Sequence, residues 1–358
     1  MRRLTCIATS FGSAGDFLPT LAIAAALRRR GHDVRFVANP SYESQVRRAE
    51  LDFVPAGEPA DVLEWIERTP AYVDGSNPSM LLRDLAGPDI AATHPVFRDL
   101  LRAHLTDVVV ASNVSLGALW AAREQGVPSV VVTASPAMWM SWRAPIVLGD
   151  VVPAPLARPM TLVGRALMDW YVTRFLRPLA RRIGASAAPS FMATIRSARV
   201  ELGTWSPLLR SAVISDPPNG VICGAARAST LGGPAAALPP AVDAFLVAGA
   251  PPVVVGLGSA FSRVAGDLLR DVATACADLG RRCLVVGHPG GVAFPSNTLA
   301  VRWAPHERVF PRAAGVVIHG GAGTTAEALR AGRPIVGVPF AYDPVSYTHL
   351  TLPTILRV

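Results

Sequence analysis

Short runs of β-branched residues recur along the chain, each leading into a glycine- or serine-bearing loop and then a helical stretch. This alternation constrains the fold more than any other feature. The clearest case is Val316, Val317 and Ile318, followed by a Gly/Thr loop from His319 to Thr325 and helical composition from Ala326. The chain opens in the same way, with strand LTCIATS, loop FGSAGDFLP, helix TLAIAAALRRRG and strand DVRFVAN. DVVVAS, a helix from Leu116 to Gln125 and SVVVTAS repeat it. So do PPVVVGLGSAFS, a helix from Leu268 to Leu279, CLVVG and the short strand LAVRWAP. Between 136 and 200 the pattern loosens into helical segments containing proline, tryptophan and arginine. The passage SDPPNGVICGAARASTLGGPAAALPP then reads as a linker. The expectation is an α/β protein of two facing Rossmann-like domains with a cleft between them, 1–214 and 249–344, joined by a linker region over 215–248.

Composition narrows the function classes. The 358 residues carry a net charge of +8, yet no uninterrupted apolar run reaches the length of a membrane span. Arg2 and Arg3 precede a strand rather than the apolar core of a signal peptide, so a cytoplasmic location is expected. All 34 basic residues are arginine, spread thinly and without interleaved aromatics, which argues against a nucleic-acid partner. Cys6, Cys223, Cys276 and Cys283 form no CxxC pair and have no histidine at ligand spacing. Neither structural zinc nor a disulfide framework is expected.

The loop after Val316–Ile318 has the parts of a phosphate seat. Gly320, Gly321 and Gly323 allow close backbone approach, and Thr324 or Thr325 can cap the helix and bond an anion beside the free amides. A glycine turn with no ligand is the alternative. At the other end, GSAGDFLP leaves the first strand where open α/β sheets place their ligands, and Asp16 is its one ionisable group. Asp16 also suits an N-cap for a helix starting near Phe17.

The block WAPHERVFPRAAGVVIHGGAGTTAEALRAGRPIVGVPFAYD, together with GSAGDFLPTLAIAAALRRRGHDVRFVANPSY and FVPAG, resembles the nucleotide-sugar-dependent glycosyltransferases of the two-Rossmann-domain (GT-B) type. This is the superfamily of UDP-glycosyltransferases and antibiotic glycosyltransferases, and the likeness extends to the bacterial rhamnosyltransferases of rhamnolipid synthesis. The resemblance implies a hexosyltransferase whose co-substrate is a UDP- or dTDP-sugar and which needs no cofactor. It implies that Trp303 stacks on the donor base, a contact worth roughly 1–3 kcal/mol, with the backbone near Pro305 and His306 on the base edge. His319, Gly320, Gly321, Gly323 and Thr324 would hold the diphosphate, His319 adding a hydrogen bond to the leaving group, and Ser259 a second phosphate contact. Glu327 would accept from the ribose hydroxyls, and Asp343 from the sugar. Core packing for Trp303 and a dipole-favoured acid of the first helical turn for Glu327 are the bland alternatives. Asp16 would take the proton of the acceptor hydroxyl, next to Gly15, giving inversion in one displacement. No Asp-x-Asp motif occurs, so no metal is expected.

The segment from Met138 to Ile183 holds Trp139, Trp142, Trp170 and Tyr171, with Arg174, Arg177, Arg181 and Arg182 at its basic end. As an acceptor wall it would suit a hydroxyl-bearing apolar small molecule or lipid with an anionic group, with peripheral contact to anionic lipid as a further use. A core face with solvated arginines is the other reading. From Val345 the chain lacks alanine and glycine and departs from the family pattern. The expectation is an incomplete second domain followed by a non-native tail over 345–358. Two other classes fit less well. A dinucleotide-dependent oxidoreductase would need the G-x-G-x-x-G order that GSAGD lacks, and a non-catalytic nucleotide-binding protein would bind donor without turnover.

Overall fold

The structure, a computed structural model, describes residues 2–69, 78–143, 153–185, 190–226, 237–288 and 290–338. The chain divides into two compact units, Met1–Val62 with Asn77–Gly233, and Leu63–Ser76 with Pro234–Val358.

The first unit is built on a seven-stranded parallel sheet in the order β3-β2-β1-β4-β5-β6-β7. Its strands are β1 (Thr5–Thr9), β2 (Asp33–Ala38), β3 (Asp52–Pro55), β4 (Val108–Ser112), β5 (Ser129–Thr133), β6 (Val200–Gly203) and β7 (Gly220–Ile222). The central strands are apolar on both faces because helices cover both, as parallel sheets require. Helix α1 (Ala14–Arg29) shows how the periodicity is used. Phe17, Leu21, Ala24 and Ala25 recur at helical spacing and are all buried beside Val34 and Phe36 of β2. Each of the two large side chains gains roughly 1.5–3 kcal/mol from burial.

The first helix therefore starts earlier than TLAIA suggests. Pro19, in the stretch expected as loop, stands inside α1. The start is set by Ser13 and Asp16, which close the first turn ahead of the proline. Beyond β5, the loose helical region contains a 29-residue helix, Ala154–Arg182, with Pro159 and Pro178 inside it, and a shorter helix, Phe191–Arg196.

The second unit has a five-stranded parallel sheet in the order β10-β9-β8-β11-β12. It comprises β8 (Val253–Gly256), β9 (Cys283–Val286), β10 (Thr298–Val301), β11 (Gly315–Ile318) and β12 (Ile335–Gly337). Val254, Leu284, Val316 and Ile318 pack with Phe310, Val309 and Ala328 in its core. The passage 215–248, expected as a linker, is partly built into the two units. Gly220–Ile222 pairs in parallel with β6, and helix Pro240–Val247 buries Val242 and Leu246. Its proline and glycine content obscured two elements that are only three and eight residues long.

Candidate functional site

In the second sheet the strand order reverses between β8 and β11, which lie side by side. At such a reversal the loops leaving the two strands diverge and leave a crevice at their carboxyl ends. The loop after β8 leads into a short helix, Gly258–Phe261, which contains Ser259, whose side chain is outside the described ones. The loop after β11 carries His319, Gly320 and Gly321. Helix Ala322–Ala331 then starts with Gly321 as N-cap and with no side-chain cap.

The two threonines do not cap, contrary to the sequence reading. The helix begins at Ala322, so Thr324 and Thr325 are already inside it. Thr325 is buried, its Oγ1 without a hydrogen-bond partner among the described residues, and Thr324 is half-buried. Among the described side chains none bonds the amides of the first turn. Gly323 is exposed, with nothing within 4 Å of where a Cβ would stand. An anion can reach these amides, and the helix dipole favours it.

His319 lies beneath this seat rather than in the open. Its side chain is buried, 5.6 Å from the Phe261 ring, and Nδ1 has no partner among the described residues. Burial pushes the imidazole down to about 4, with His306 acting in the same direction and the Gly256 backbone opposing. His319 is therefore neutral at pH 7. A neutral ring carries one N–H, so Nδ1 donates only in the tautomer that places the proton there.

Trp303 follows β10 and is 56% exposed, which removes core packing as its role. Pro305 is buried and is the N-cap of helix His306–Val309. The His306 ring stacks on Phe310 at 4.5 Å, and burial lowers its pKa to about 4. Glu327 lies beyond the first helical turn, so the dipole does not explain it. Its Oε1 accepts from Arg330 Nη1 at 2.5 Å. Asp343 lies outside the described residues, as does 345–358.

In the first sheet the order reverses between β1 and β4. Asp16 stands just past the end of β1 at the third position of α1, and is not an N-cap. Ser13 is the cap, and its N–H and Oγ both donate to Asp16 Oδ2, at 3.2 and 3.1 Å. With the Asp16 backbone N–H returning to the Ser13 side chain, this closure is a capping box in which aspartate takes the place of glutamate. Gly12, at φ +113°, lets the chain pass close by, because a Cβ there would stand 2.7 Å from Asp16 Oδ2. Gly15 is exposed beside it.

Two residues of this region escaped the sequence reading. Tyr42 Oη donates to the Gly12 carbonyl at 2.5 Å, and its ring stacks on Phe17 at 4.2 Å. Burial, with Asp16, Asp89 and Asp61, raises its pKa. Asp89 has a buried Oδ2 with no partner among the described residues, and burial pushes its carboxyl up to about 7. Both arrive from elements distant in sequence, so no local pattern marks them.

Trp139 was expected in an acceptor wall, and the structure places it in the core. It is 1% exposed, edge-on to Trp205 at 4.7 Å. Trp142 is half-buried, with the guanidinium groups of Arg143 and Arg158 at 4.7 and 5.4 Å from its ring. Among the described residues no three metal-ligating side chains converge.

Comparison with known proteins agrees with this geometry. Residues 6–133 match the glycosyltransferase family 28 N-terminal domain, and residues 171–348 match the UDP-glucoronosyl and UDP-glucosyl transferase family. An uncharacterized glycosyltransferase of Mycobacterium leprae is 30% identical over 348 residues, covering 90% of this chain and 77% of the relative. The O-mycaminosyltylonolide 6-deoxyallosyltransferase of Streptomyces fradiae is 29% identical, with 93% and 80% covered. Among solved structures, the kitacinnamycin glycotransferase superposes with a TM-score of 0.65 at 19% identity, covering 98% of this chain and 84% of that one. The glycosyltransferase VinC in complex with dTDP gives 0.63 at 19% identity, with 96% and 83% covered. With both sheets parallel, both reversals flanked by open loops and relatives matching across its length, the chain belongs to the UDP-glycosyltransferase family of GT-B glycosyltransferases.

Proposed function

We propose that the protein transfers a hexose, such as glucose or rhamnose, from a UDP- or dTDP-sugar to a hydroxyl of an apolar small molecule or lipid, with inversion at the anomeric carbon. In this reading the acceptor oxygen bonds to the anomeric carbon as the bond to the diphosphate breaks. Asp16 takes the acceptor proton, and the nucleoside diphosphate leaves. An aspartate is a far weaker base than an alkoxide, so it assists only as the new bond forms and the oxygen becomes acidic.

The observation that carries the reading is the helix start at Gly321–Gly323. It is uncapped by the described side chains, open at Gly323 and backed by a neutral His319. Fixed amide dipoles stabilise the charge that grows on the departing diphosphate, and they need no reorganisation during the step. His319 adds a donor rather than a charge. Trp303 offers the exposed aromatic face suited to a pyrimidine base, and Glu327 a carboxylate for the ribose hydroxyls. The apolar acceptor draws support from the named relatives, one the O-mycaminosyltylonolide 6-deoxyallosyltransferase and another a sterol 3-beta-glucosyltransferase of Arabidopsis thaliana.

The test is a matrix of UDP- and dTDP-hexoses against hydroxylated polyketides, sterols and hydroxy-fatty acids, read by mass spectrometry, with product configuration by NMR. Transfer with retention, or hydride exchange with a dinucleotide in place of transfer, would overturn the reading.

A further inference from the structure

Helix Ala154–Arg182 has an outer face whose two halves differ in character. Leu156, Met160, Val163, Leu167 and Trp170 follow one another at alternating spacings of four and three, and so form one line along the helix. They are 50, 44, 58, 60 and 60% exposed. The line continues at the same spacing through Arg174, Arg177 and Arg181, all exposed. The opposite face carries Met168, Val172, Phe175 and Leu179 onto the core. The stripe is therefore a second apolar face, about 21 Å long at 1.5 Å per residue.

The basic half has no compensating carboxylate among the described residues. Among these residues no ion pair involves Arg174, Arg177 or Arg181. The helix's one acidic residue, Asp169, is turned inward, accepting from the Met192 N–H at 2.8 Å. The Arg174 guanidinium lies over the Trp170 ring at 5.7 Å, joining the two halves. No helix among the described residues is long and apolar enough to cross a membrane.

We propose that this face docks on a membrane bearing anionic phospholipid, with Leu156 to Trp170 entering the acyl boundary and Arg174 to Arg181 lying on the phosphates. The occupant must present hydrocarbon and negative charge side by side to a convex surface, which the headgroup region of an anionic bilayer does. A second copy of the chain does not. Packed parallel on this face it sets arginine against arginine, and packed antiparallel it sets each arginine half against hydrocarbon. Trp170 sits at the change from apolar to basic, where the amphipathic indole suits the water–acyl boundary.

The proposal is tested on the full chain by co-sedimentation with vesicles of phosphatidylcholine, alone or mixed with phosphatidylglycerol. Binding is expected only to the mixed vesicles and should weaken as salt is raised. Reversing the basic line, Arg174→Glu with Arg177→Glu and Arg181→Glu, should reduce partitioning roughly a hundredfold or more. Leu167→Asp with Trp170→Asp should abolish it while circular dichroism stays unchanged, since both side chains are exposed. Absence of binding by the unmodified chain, equal binding to neutral vesicles, or unchanged binding by either variant overturns the proposal. So does a stripe variant that only converts a dimer to a monomer, or only weakens acceptor binding. The readout is binding, so failure here leaves the transferase reading standing.

Discussion

Gly258 and His319 pack so closely that a Cβ on the glycine would stand 2.6 Å from His319 Cε1. Gly258 also has φ +76°, a region that disfavours an L side chain whatever the space. Gly258→Ala therefore strains the backbone and pushes the imidazole from beneath the phosphate seat. The expected result is a loss of roughly 1–3 kcal/mol in stability together with weaker nucleotide binding. Thermal melts and calorimetry with UDP and dTDP measure the two effects, and an unchanged affinity would separate His319 from the seat.

Asp16→Asn keeps an acceptor oxygen for Ser13 and leaves the first turn of α1 capped. Turnover should fall by roughly 10²–10⁴, the usual general-base contribution, with donor affinity and melting temperature nearly unchanged. Asp16→Ala leaves Ser13 as N-cap but removes the carboxylate that closes the capping box with it, so it should also lose up to about 1 kcal/mol of stability. Near-normal turnover in the Asn variant would exclude Asp16 as the base.

Trp303 and Trp139 should separate cleanly. Trp303→Ala removes an exposed face, so the melting temperature holds while donor affinity falls by roughly 1–3 kcal/mol. Trp139→Ala empties a core position beside Trp205 and should cost about 3–5 kcal/mol of stability. Parallel chemical denaturation and donor titration distinguish the two patterns.

Acid should destabilise the second unit through His306 and His319. Both titrate at about 4 when folded, against 6.5 as the ordinary value. Between these values the unfolded chain binds more protons, so stability rises with pH across that window. The contribution is complete above pH 6.5 and is lost as pH falls through 4, on the order of a few kcal/mol in all. Melting temperatures taken from pH 7.5 down to 4 should trace the loss. His306→Phe, which can still stack on Phe310, should flatten the slope.

Both parallel sheets were legible because a strand buried on two faces must be a continuous apolar run, as Val316–Ile318 and Val108–Ala111 are. The loops at the two reversals were legible for the same reason, since they begin where those runs end. The surroundings of the site residues were not. Trp139 and Trp303 both follow strands, and the distant Trp205 and Leu209 make the first of them core. Tyr42 reaches Gly12 from 30 residues away in sequence, and Asp89 has no local pattern at all. The start of α1 lies earlier than expected for a different reason: the helical composition of TLAIAAAL is conspicuous, and the Ser13–Asp16 closure that begins the helix ahead of it is quiet.

Because Asp16 completes the closure of α1, position 16 is open to a narrow alphabet. Selection for thermal tolerance alone would retain aspartate and asparagine side by side, since both close the turn. Selection for product formation would separate them. Libraries randomised at this position should therefore give two different rankings of the same variants, and the residues shared by both lists would show how far folding and turnover can be tuned independently on one side chain.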